Sequence, residues 1–244
     1  MQLVNIIDDI RQDHPTMGIR DLYFKIKPDT MGRDAFERFC KSMQLMSKPH
    51  KSFRRTTDSS GVIRFDNLMV MHKLTGLDQV WQSDISYYEV AGKFYYLTFI
   101  LDAYSRRIVG YQTSKRLSTE HTTLPALTSA IKTRAGKNLS GLIFHSDGGG
   151  QYYDKEFVSL TQKIGVRNSM CEYAWENGKA ERINGIIKNN YLRHRTIANF
   201  NQLVKEVDRS IYLYNYDKPH SKLMRMTPIS FERKTLSSLK MNNI

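Results

Sequence analysis

Apolar residues recur at steps of three and four through the first 46 residues, which is the spacing of an amphipathic helix. The pattern predicts short helices over 2–13, 17–26 and 31–46, separated by Pro15 and Pro28. The third helix carries an apolar stripe on one face, formed by Phe36, Phe39, Cys40, Met43 and Met46. Three short helices of this kind fit a helix-turn-helix-like region and a small helical support domain equally well.

The pattern changes at Val80, where β-branched and aromatic residues become frequent. This composition predicts strands over 80–90, 93–102 and 106–113, joined by turns into an antiparallel meander. The elements predicted after them are helix 119–134, strand 141–147, helix 153–164, strand 166–170, and helices 177–192 and 199–216. This order predicts an α/β fold, with a mixed five-stranded sheet flanked by helices and a small N-terminal helical domain.

A stretch between these two regions, 47–72, has no helical or strand periodicity and many turn-forming residues. We interpret it as a basic linker, because positions 47–64 hold five basic residues and one acidic residue. The linker's arginines Arg54 and Arg55 are candidate contacts to a polyanion. The predicted organisation is a helical region over 1–46, the linker over 47–72, a core with C-terminal helices over 73–235, and a tail over 236–244.

Basic residues are in excess, with 37 Lys and Arg against 24 Asp and Glu and a net charge of +13. From Lys179 onward there are 13 basic and 5 acidic residues, whereas 73–178 is nearly neutral at 12 against 10. Basic flanks around a neutral core favour a polyanionic partner such as DNA. No apolar run approaches the roughly 20 residues that would span a membrane, so we expect no membrane partner.

Two cysteines, Cys40 and Cys171, lie far apart in the chain and form no CxxC pair. This spacing argues against a structural zinc site built from cysteines. Together with the absence of a signal-peptide pattern at the start of the sequence, it predicts a cytoplasmic protein.

Three acidic residues stand at positions suited to a metal site. Asp84 lies within the first predicted strand, Asp147 ends a later short strand, and Glu181 lies in the first turn of a predicted helix. Each acid alone has an ordinary explanation: a solvated strand residue, a turn former or a helix-start charge. Together, carboxylates from two strands and a helix can converge on hard divalent cations. The three glycines after Asp147 would let the backbone pass close to a ligand there.

Five segments of the chain, in order, match the signatures of one class of catalytic core. Residues 81–87 (WQSDISY) resemble the Trp-x-x-Asp-Ile-Thr-Tyr opening of integrase-type catalytic cores. The other segments are similar to later signatures of the same cores: 100–111 (ILDAYSRRIVGY), 145–152 (HSDGGGQY), 175–182 (WENGKAER), and 214–221 (YNYDKPHS) with 227–231 (TPISF). Together they resemble the DDE transposases of the insertion sequence three family, in their OrfB-type subunit, over about residues 15–235.

This resemblance implies an RNase H-like core in which Asp84, Asp147 and Glu181 are both catalytic and metal-binding. It implies two Mg²⁺ ions, replaceable by Mn²⁺, and DNA strand cleavage followed by transfer of a 3′-hydroxyl to another phosphodiester. The implied partners are the insertion-sequence ends and target DNA, an OrfA-type DNA-binding partner or fusion, and further copies of the chain on DNA.

The chain departs from the family pattern near the third acid. Between Asp147 and Glu181 lie 181 − 147 − 1 = 33 residues, about two fewer than is usual in the family. Glu176 stands where the family commonly has Asp, so it is a second candidate for the third acid. We retain Glu181, because five residues separate the two acids and they do not share a helix face.

Several neighbours of the acids are candidates for lesser roles. Lys188 lies seven residues after Glu181, nearly two helical turns, and we predict that it contacts DNA near the cut. Arg182 and Lys179 are weaker candidates for the same contact. His145 shares the face of Asp147 by alternation, but a satisfied core histidine is at least as plausible. The remaining predictions are structural: Trp81 and Trp175 pack, and Asp102 caps a turn.

Two rival functions remain open at this stage. One keeps the fold and changes the chemistry to that of an RNase H-like nuclease, which hydrolyses strands without joining them. The other is a domesticated DNA-binding protein that has no catalysis, against which the intact set of three acids argues.

Overall fold

The structure, a computed structural model, describes residues 2–47, 64–70 and 72–241. Arg54, Arg55 and most of the predicted linker lie outside the described residues. The described residues form two compact units. The sheet unit comprises 64–70, 72–186 and 197–207, and the helical unit comprises 2–47, 187–196 and 208–241.

One mixed sheet of five strands forms the centre of the sheet unit, in the order β3-β2-β1-β4-β5. The strands are β1 Val80–Val90, β2 Lys93–Asp102, β3 Ile108–Ser114, β4 Ile143–Ser146 and β5 Arg167–Met170. The predicted meander is confirmed, because β1 pairs antiparallel with β2 and β2 with β3. Strand β4 then pairs parallel with β1, and β5 parallel with β4. Strand β1 is therefore the central strand.

The turn after β2 is organised by the buried side chain of Asp102. Its Oδ1 accepts hydrogen bonds from the backbone N–H groups of Tyr104 at 2.9 Å and Ser105 at 2.7 Å. Its Oδ2 accepts the N–H of Asp78 at 2.6 Å. The prediction that Asp102 caps this turn is confirmed.

Helices α4 Thr123–Thr133, α5 Lys155–Lys163 and α6 Gly178–Ile186 belong to the sheet unit. Each is shorter than predicted. A 3-10 turn at Thr119–His121 precedes α4, the side chain of Asp154 caps the start of α5, and a π-helical turn at Ile187–Tyr191 follows α6. The backbone of Thr122, with φ −124° and ψ −83°, breaks the predicted helix 119–134 in two. Hydrophobicity predicted where these helices lie, but it does not distinguish an α turn from a 3-10 turn.

The core of the sheet unit combines residues of the sheet with one face each of α4 and α5. Trp81 and Phe144 are fully buried, and Phe144 contacts the rings of Tyr152 and Phe157 at centroid distances of 6.0 and 5.2 Å. Helix α4 lies so close to β3 that a Cβ added at Gly110 would stand 2.3 Å from the carbonyl oxygen of Ala126. Helices α4 and α5 therefore pack against the sheet.

The helical unit contains α1 Gln2–Asp13, α2 Ile19–Ile26, α3 Arg33–Ser42 and α8 Pro228–Met241, with π-helical turns at Ile187–Tyr191 and Leu213–Asp217. Helix α7 Phe200–Tyr212 connects the two units along the chain. Buried His14 links distant segments of the helical unit, with Nε2 2.7 Å from Asp217 Oδ2 and Nδ1 3.1 Å from the hydroxyl of Tyr191. Lys25 also pairs with Asp217, at 2.5 Å.

The structure differs from the predicted organisation in two places. The C-terminal helices group with the N-terminal helices, although the sequence placed them with the core over 73–235. Helix α8 continues through 236–241, which the sequence placed in the tail. Among the helices in the described part of the chain, none has the length and apolar character needed to cross a membrane.

Candidate active site

Two of the predicted acids meet at the centre of the sheet. The parallel pairing of β1 with β4 sets Ser83 opposite Ser146, so that Asp84 and Asp147 follow side by side. Neighbouring strands lie about 4.8 Å apart, which brings the two carboxyl groups into direct electrostatic contact. Asp84 is within β1, and Asp147 immediately follows the end of β4. The parallel register therefore brings together two acids separated by 63 residues (147 − 84).

The electrostatics of this pair favour a cation. Burial raises the pKa of Asp84 to about 7, and the negative charges of Asp147 and Glu181 add to the increase. Burial also raises the pKa of Asp147, against the effect of the backbone N–H of Gly149. A divalent cation would offset the repulsion between these carboxylates and stabilise their ionised forms.

Helix α6 delivers the third acid and is fixed to β1 through amide side chains. Asn184 Nδ2 donates to Asp84 Oδ2 at 2.7 Å, while Ser86 Oγ donates to Asn184 Oδ1 at 2.9 Å. Asn177 Nδ2 donates to the carbonyl oxygen of Ser83 at 2.8 Å. The helix therefore contacts β1 on both sides of Asp84.

Glu181 lies in the first turn of α6, as predicted, four residues after Asn177 and three before Asn184. Residues three apart on a helix are neighbours on its surface, so Glu181 lies beside Asn184, the residue of α6 that donates to Asp84. The Glu181 carboxylate lies close enough to Asp84 to raise the pKa of Asp84, although Glu181 itself is exposed to solvent. Sequence reasoning assigns no role to Asn184 or Asn177, although the helical spacing of Asn184 from Glu181 is a signal that could identify it.

The glycines after Asp147 have the close approach that the sequence predicted. A Cβ added at Gly148 would stand 2.8 Å from the Met170 methyl group, and one at Gly149 would stand 3.1 Å from Asp147 Oδ1. The backbone N–H of Gly149 donates to that same Asp147 oxygen at 3.2 Å. The small residues therefore let the loop fold back onto the carboxylate and orient it.

Beneath the two acids lies the fully buried side chain of Tyr152. Its hydroxyl is 2.8 Å from Ser83 Oγ, and burial, with the charges of Asp147 and Asp84, raises its pKa well above the usual value. The phenol is therefore neutral, and its ring is packed in the core below the two acids. Sequence reasoning gave Tyr152 no role, because a tyrosine beside a glycine-rich loop has no distinctive spacing.

Glu176, the alternative third acid, has a structural role here. Its Oε2 accepts the backbone N–H groups of Glu172 at 2.7 Å and Tyr173 at 3.0 Å, which closes the loop before α6. These two hydrogen bonds engage Glu176 Oε2 within the loop. This geometry favours Glu181 as the third acid.

His145 is a core residue in this structure. The ring is buried, its Nδ1 lies 3.0 Å from Ser169 Oγ, and burial lowers its pKa to about 4. The imidazole is therefore neutral at physiological pH. The packing interpretation, one of two left open by the sequence, is the one that the contacts favour.

The predicted DNA-contacting residues lie in different parts of the chain. Arg182 is exposed on α6, next to Glu181. Lys179 is half-buried, and burial together with the positive charge of Arg106 lowers its pKa. Lys188 lies in the π-helical turn of the helical unit, so the α-helical spacing of seven residues from Glu181 is not maintained. Arg54 and Arg55 fall outside the described residues.

The two tryptophans have opposite environments. Trp81 is fully buried, which confirms the packing prediction for that residue. The same prediction is wrong for Trp175, whose side chain is 72% exposed and stacks on the ring of Tyr173. A helical or strand period could not predict this exposure, because the residue lies in a 3-10 turn at the edge of the sheet.

The three acids suit a divalent metal by donor type and charge. All offer carboxylate oxygens, which Mg²⁺ and Mn²⁺ prefer. Burial raises the pKa of Asp84 first, and the negative charges of Asp147 and Glu181, which a cation would offset, add to the increase. Within 2–47, 64–70 and 72–241, however, no three His, Cys, Asp or Glu side chains are grouped closely enough to hold a metal as they stand. Asp84 and Asp147 lie side by side, whereas Glu181 is exposed to solvent.

Comparisons with known proteins agree with this geometry. The Integrase core domain family matches residues 75–174, and a second family of that description matches residues 162–228. The insertion element IS600 uncharacterized 31 kDa protein of Shigella sonnei is 30% identical over 231 residues, which cover 90% of this chain and 82% of that protein. The transposase for insertion sequence element IS629 of Shigella sonnei is 28% identical over 61% of this chain and 50% of its own length.

Solved structures show the same fold at low sequence identity. The HTLV-2 integrase catalytic core domain in complex with magnesium matches with a TM-score of 0.52 and 19% identity, covering 64% of this chain and 96% of that one. A simian T-cell lymphotropic virus intasome in complex with the PP2A regulatory subunit B56 gamma matches with a TM-score of 0.55 and 17% identity, covering 93% of this chain and 74% of that one. The sheet unit therefore has the expected RNase H-like fold. The chain belongs to the DDE transposases of the insertion sequence three family, enzymes of the polynucleotidyl transferase type with an integrase catalytic core.

Proposed function

We propose that this transposase cuts and joins DNA at a divalent-metal site formed by Asp84, Asp147 and Glu181. The observation that carries the proposal is the parallel register of β1 and β4, which sets Asp84 beside Asp147. Burial of Asp84, together with the nearby negative charges of Asp147 and Glu181, raises its pKa and supports a cation at this point. The reaction would release a 3′-hydroxyl at the element end and transfer it to a phosphodiester of the target.

Two Mg²⁺ ions fit this donor set, and Mn²⁺ is expected to substitute, because both prefer carboxylate oxygens. When bound, such ions stabilise the attacking and leaving oxygens of an in-line phosphoryl displacement. The chain's part is to keep its carboxylates ionised and aimed. Asn184 orients Asp84, the N–H of Gly149 orients Asp147, and α6 brings Glu181 to the same edge.

Displacement at phosphorus breaks one P–O bond as another forms, and it needs no covalent intermediate with the protein. None of the three acids must act as nucleophile, and their proposed role is to hold cations through their negative charge. An amide replacement keeps the shape of the side chain and removes the charge, so it should abolish activity. That expectation separates a metal-holding role from a role in packing.

DNA is the proposed polyanionic partner, consistent with the net charge of +13. We propose that Arg182, Lys179 and Lys188 contact its backbone, with Arg54 and Arg55 contributing from the linker. We also propose an OrfA-type partner or fusion for recognising the element ends, assembly of several copies on DNA, and action in the cytoplasm.

The test uses labelled duplexes that carry the element ends, a supercoiled target and Mg²⁺. Wild type should produce joined products, whereas Asp147→Asn should lose about a thousandfold or more of the joining activity. Glu89→Gln is the matched control, because Glu89 is an exposed acid of the same strand as Asp84. Equal joining by wild type and Asp147→Asn would refute the site.

The same assay separates the two rival functions. Cut products without joined products from wild type would identify a hydrolytic RNase H-like nuclease. Binding of the ends with neither product, while the OrfA-type partner is present, would identify a domesticated DNA-binding protein. Joined products that require all three acids support the transposase.

A further inference from the structure

An exposed pair of stacked aromatic rings stands in the loop before α6. The rings of Tyr173 and Trp175 lie 4.5 Å apart between centroids and are nearly parallel, at 4°. Trp175 is 72% exposed and Tyr173 is 47% exposed, whereas the other tryptophan, Trp81, is fully buried. Large aromatic surface left in water at a fixed orientation is a feature of sites that stack a planar ligand.

The loop that carries these rings crosses the edge of the sheet where the acids lie. It begins at Cys171, whose backbone N–H donates to the carbonyl oxygen of Ser146 at 3.0 Å, one residue before Asp147. It ends near Gln82, whose Nε2 donates to the carbonyl oxygen of Glu176 at 3.4 Å, two residues before Asp84. Both ends of the loop are therefore fixed beside the catalytic acids.

The loop is closed internally as well. The Glu176 carboxylate accepts the N–H groups of Glu172 at 2.7 Å and Tyr173 at 3.0 Å, and the N–H of Glu176 donates to the carbonyl oxygen of Tyr173 at 3.0 Å. These hydrogen bonds fix the backbone on both sides of the stack. A ligand would meet preformed rings, so little ordering would be needed on binding.

The surroundings select the chemical class of the ligand. Glu172 and Glu176 flank the two rings in sequence, and Asp147 follows the strand to which the loop is bonded. The negative charges of these three acids disfavour a phosphate placed against the rings, but they have little effect on a neutral, flat base. A protein partner fits less well, because two aromatic side chains offer about 300–500 Å² in all, below the roughly 800 Å² per partner of a stable interface.

We propose that the Tyr173–Trp175 stack binds an unpaired nucleobase of DNA beside the phosphodiester that is cut. The inference rests on the proposed function and adds a subsite to it. Stacking a base outside the duplex would hold the strand end open next to Asp84 and Asp147. This would favour DNA ends that are frayed or mismatched at the cleavage position over fully paired ends.

Binding is measured without cutting, on the full chain carrying Asp147→Asn. Three otherwise identical element ends are compared by fluorescence anisotropy: fully paired, with one unpaired base at the cleavage position, and with an abasic site there. We expect the unpaired base to bind about tenfold more tightly than the abasic end, equivalent to about 1.4 kcal/mol. The emission of exposed Trp175 should be quenched by the unpaired base and unchanged by the abasic end.

Substitutions at the stack test whether the ring itself is responsible. Trp175→Phe should keep most of the tenfold preference, whereas Trp175→Leu should remove it while leaving the melting temperature unchanged, because the side chain is exposed. Phe94→Ala is the matched control. Phe94 is a 55% exposed aromatic paired with Glu89, which lies five residues along β1 from Asp84, roughly 16 Å away. The preference should persist in this control.

Equal affinity for the unpaired and abasic ends would overturn the proposal, as would a preference that survives Trp175→Leu. Trp175 emission could instead be quenched as the protein concentration rises in the absence of DNA. That result would show that the rings contact a second copy of the chain, and it would also overturn the proposal. Failure of the proposed function is seen separately, as absence of joined products from wild type. If wild type gives no joined products but binds the unpaired base preferentially, the proposed base-binding role of Tyr173 and Trp175 would still be supported.

Discussion

Asp84 is the residue on which the contacts of the site converge. It lies on the central strand beside Asp147, accepts a hydrogen bond from Asn184 and is repelled by Glu181. Its carboxyl group is therefore held in one orientation while its charge is opposed by burial and by two like charges. A group in this state is destabilising until a cation binds, which is the usual cost of a prepared metal site.

Asp84→Asn should raise the free energy of unfolding of the metal-free protein at pH 8. The folded-state pKa of about 7 lies above the unfolded value, so the folded protein binds the extra proton and wild type loses stability as pH rises from about 4 to 7. The amide has no such titration. We expect a gain of about 1–3 kcal/mol at pH 8 and a smaller gain at pH 5, measured by urea denaturation with a chelator.

Asn184 is predicted to be a positioning residue. Asn184→Ala should lower strand transfer about 10- to 100-fold, as is typical when a partner of a metal-binding carboxylate is removed. Because the Asn184 N–H lowers the pKa of Asp84, its loss should also move the acidic limb of the pH–rate profile to higher pH. Ser86→Ala, which removes the support of Asn184 but not its donor, should show the same shift to a lesser degree. An unshifted profile in Asn184→Ala would contradict the positioning role.

The residues around the acids illustrate the limits of sequence reasoning at this scale. Asp84 and Asp147 were predictable, because motif and strand context agree. The role of Asn184 depends on how α6 docks against β1, and the exposure of Trp175 depends on a 3-10 turn at the sheet edge. Neither is encoded in local periodicity, so tertiary structure was required for both.

Among the elements, α1, β1 and β2 were predicted with the bounds that the structure shows, whereas the other predicted helices were predicted too long. The run of aromatic and β-branched residues and the turn at Ala91 and Gly92, where both residues have positive φ, define the hairpin locally. Helix ends are set by single 3-10 and π turns that hydrophobic spacing does not reveal. Strand β4 has four residues, and its position beside β1 follows from parallel pairing across a long segment of chain.

Gly110→Ala should destabilise the sheet unit. The added methyl group would meet the Ala126 carbonyl oxygen at 2.3 Å and the Ala130 backbone nitrogen at 2.7 Å, so α4 would have to move away from β3. We expect a loss of about 1–3 kcal/mol in the free energy of unfolding, measured by denaturant titration. Gly32→Ala is the control, since a Cβ there would meet nothing within 4 Å and its φ is −74°. Equal stability of the two variants would contradict the close packing.

Substitutions at the two candidate third acids should have unequal effects. Glu176→Gln retains an oxygen that can accept the loop N–H groups, so strand transfer should remain within about threefold of wild type. Glu181→Gln should reduce it by about a thousandfold. Strand-transfer rates measured with both proteins at saturating Mg²⁺ decide the assignment. The opposite order would make Glu176 the third acid despite its contacts.

On the scale of the whole molecule, the grouping of elements was not predictable from the sequence. His14 contacts Asp217 across 203 positions, and Lys25 reaches the same carboxylate across 192. These contacts join the N-terminal and C-terminal helices into one unit, whereas linear order assigned the latter to the core. Buried polar pairs of such long range leave no periodic trace in sequence.

Binding of the full chain to DNA should depend steeply on salt because of its positive charge. If Arg182 and Lys188 each contact a phosphate, Arg182→Ala and Lys188→Ala should each reduce the slope of log affinity against log salt by about one. Fluorescence anisotropy between 50 and about 200 mM salt gives these slopes. A slope that does not change in either variant would remove that residue from the DNA interface.

The central claim, that the three acids together hold the divalent metal, is tested most directly by Mn²⁺ binding measured by electron paramagnetic resonance. Wild type bound to an element end should take up two ions, while Asp84→Asn, Asp147→Asn and Glu181→Gln should each bind at least about tenfold more weakly. Glu89→Gln, the exposed acid on the same strand as Asp84, should match wild type. Unchanged Mn²⁺ affinity in Asp84→Asn and Asp147→Asn would contradict the account.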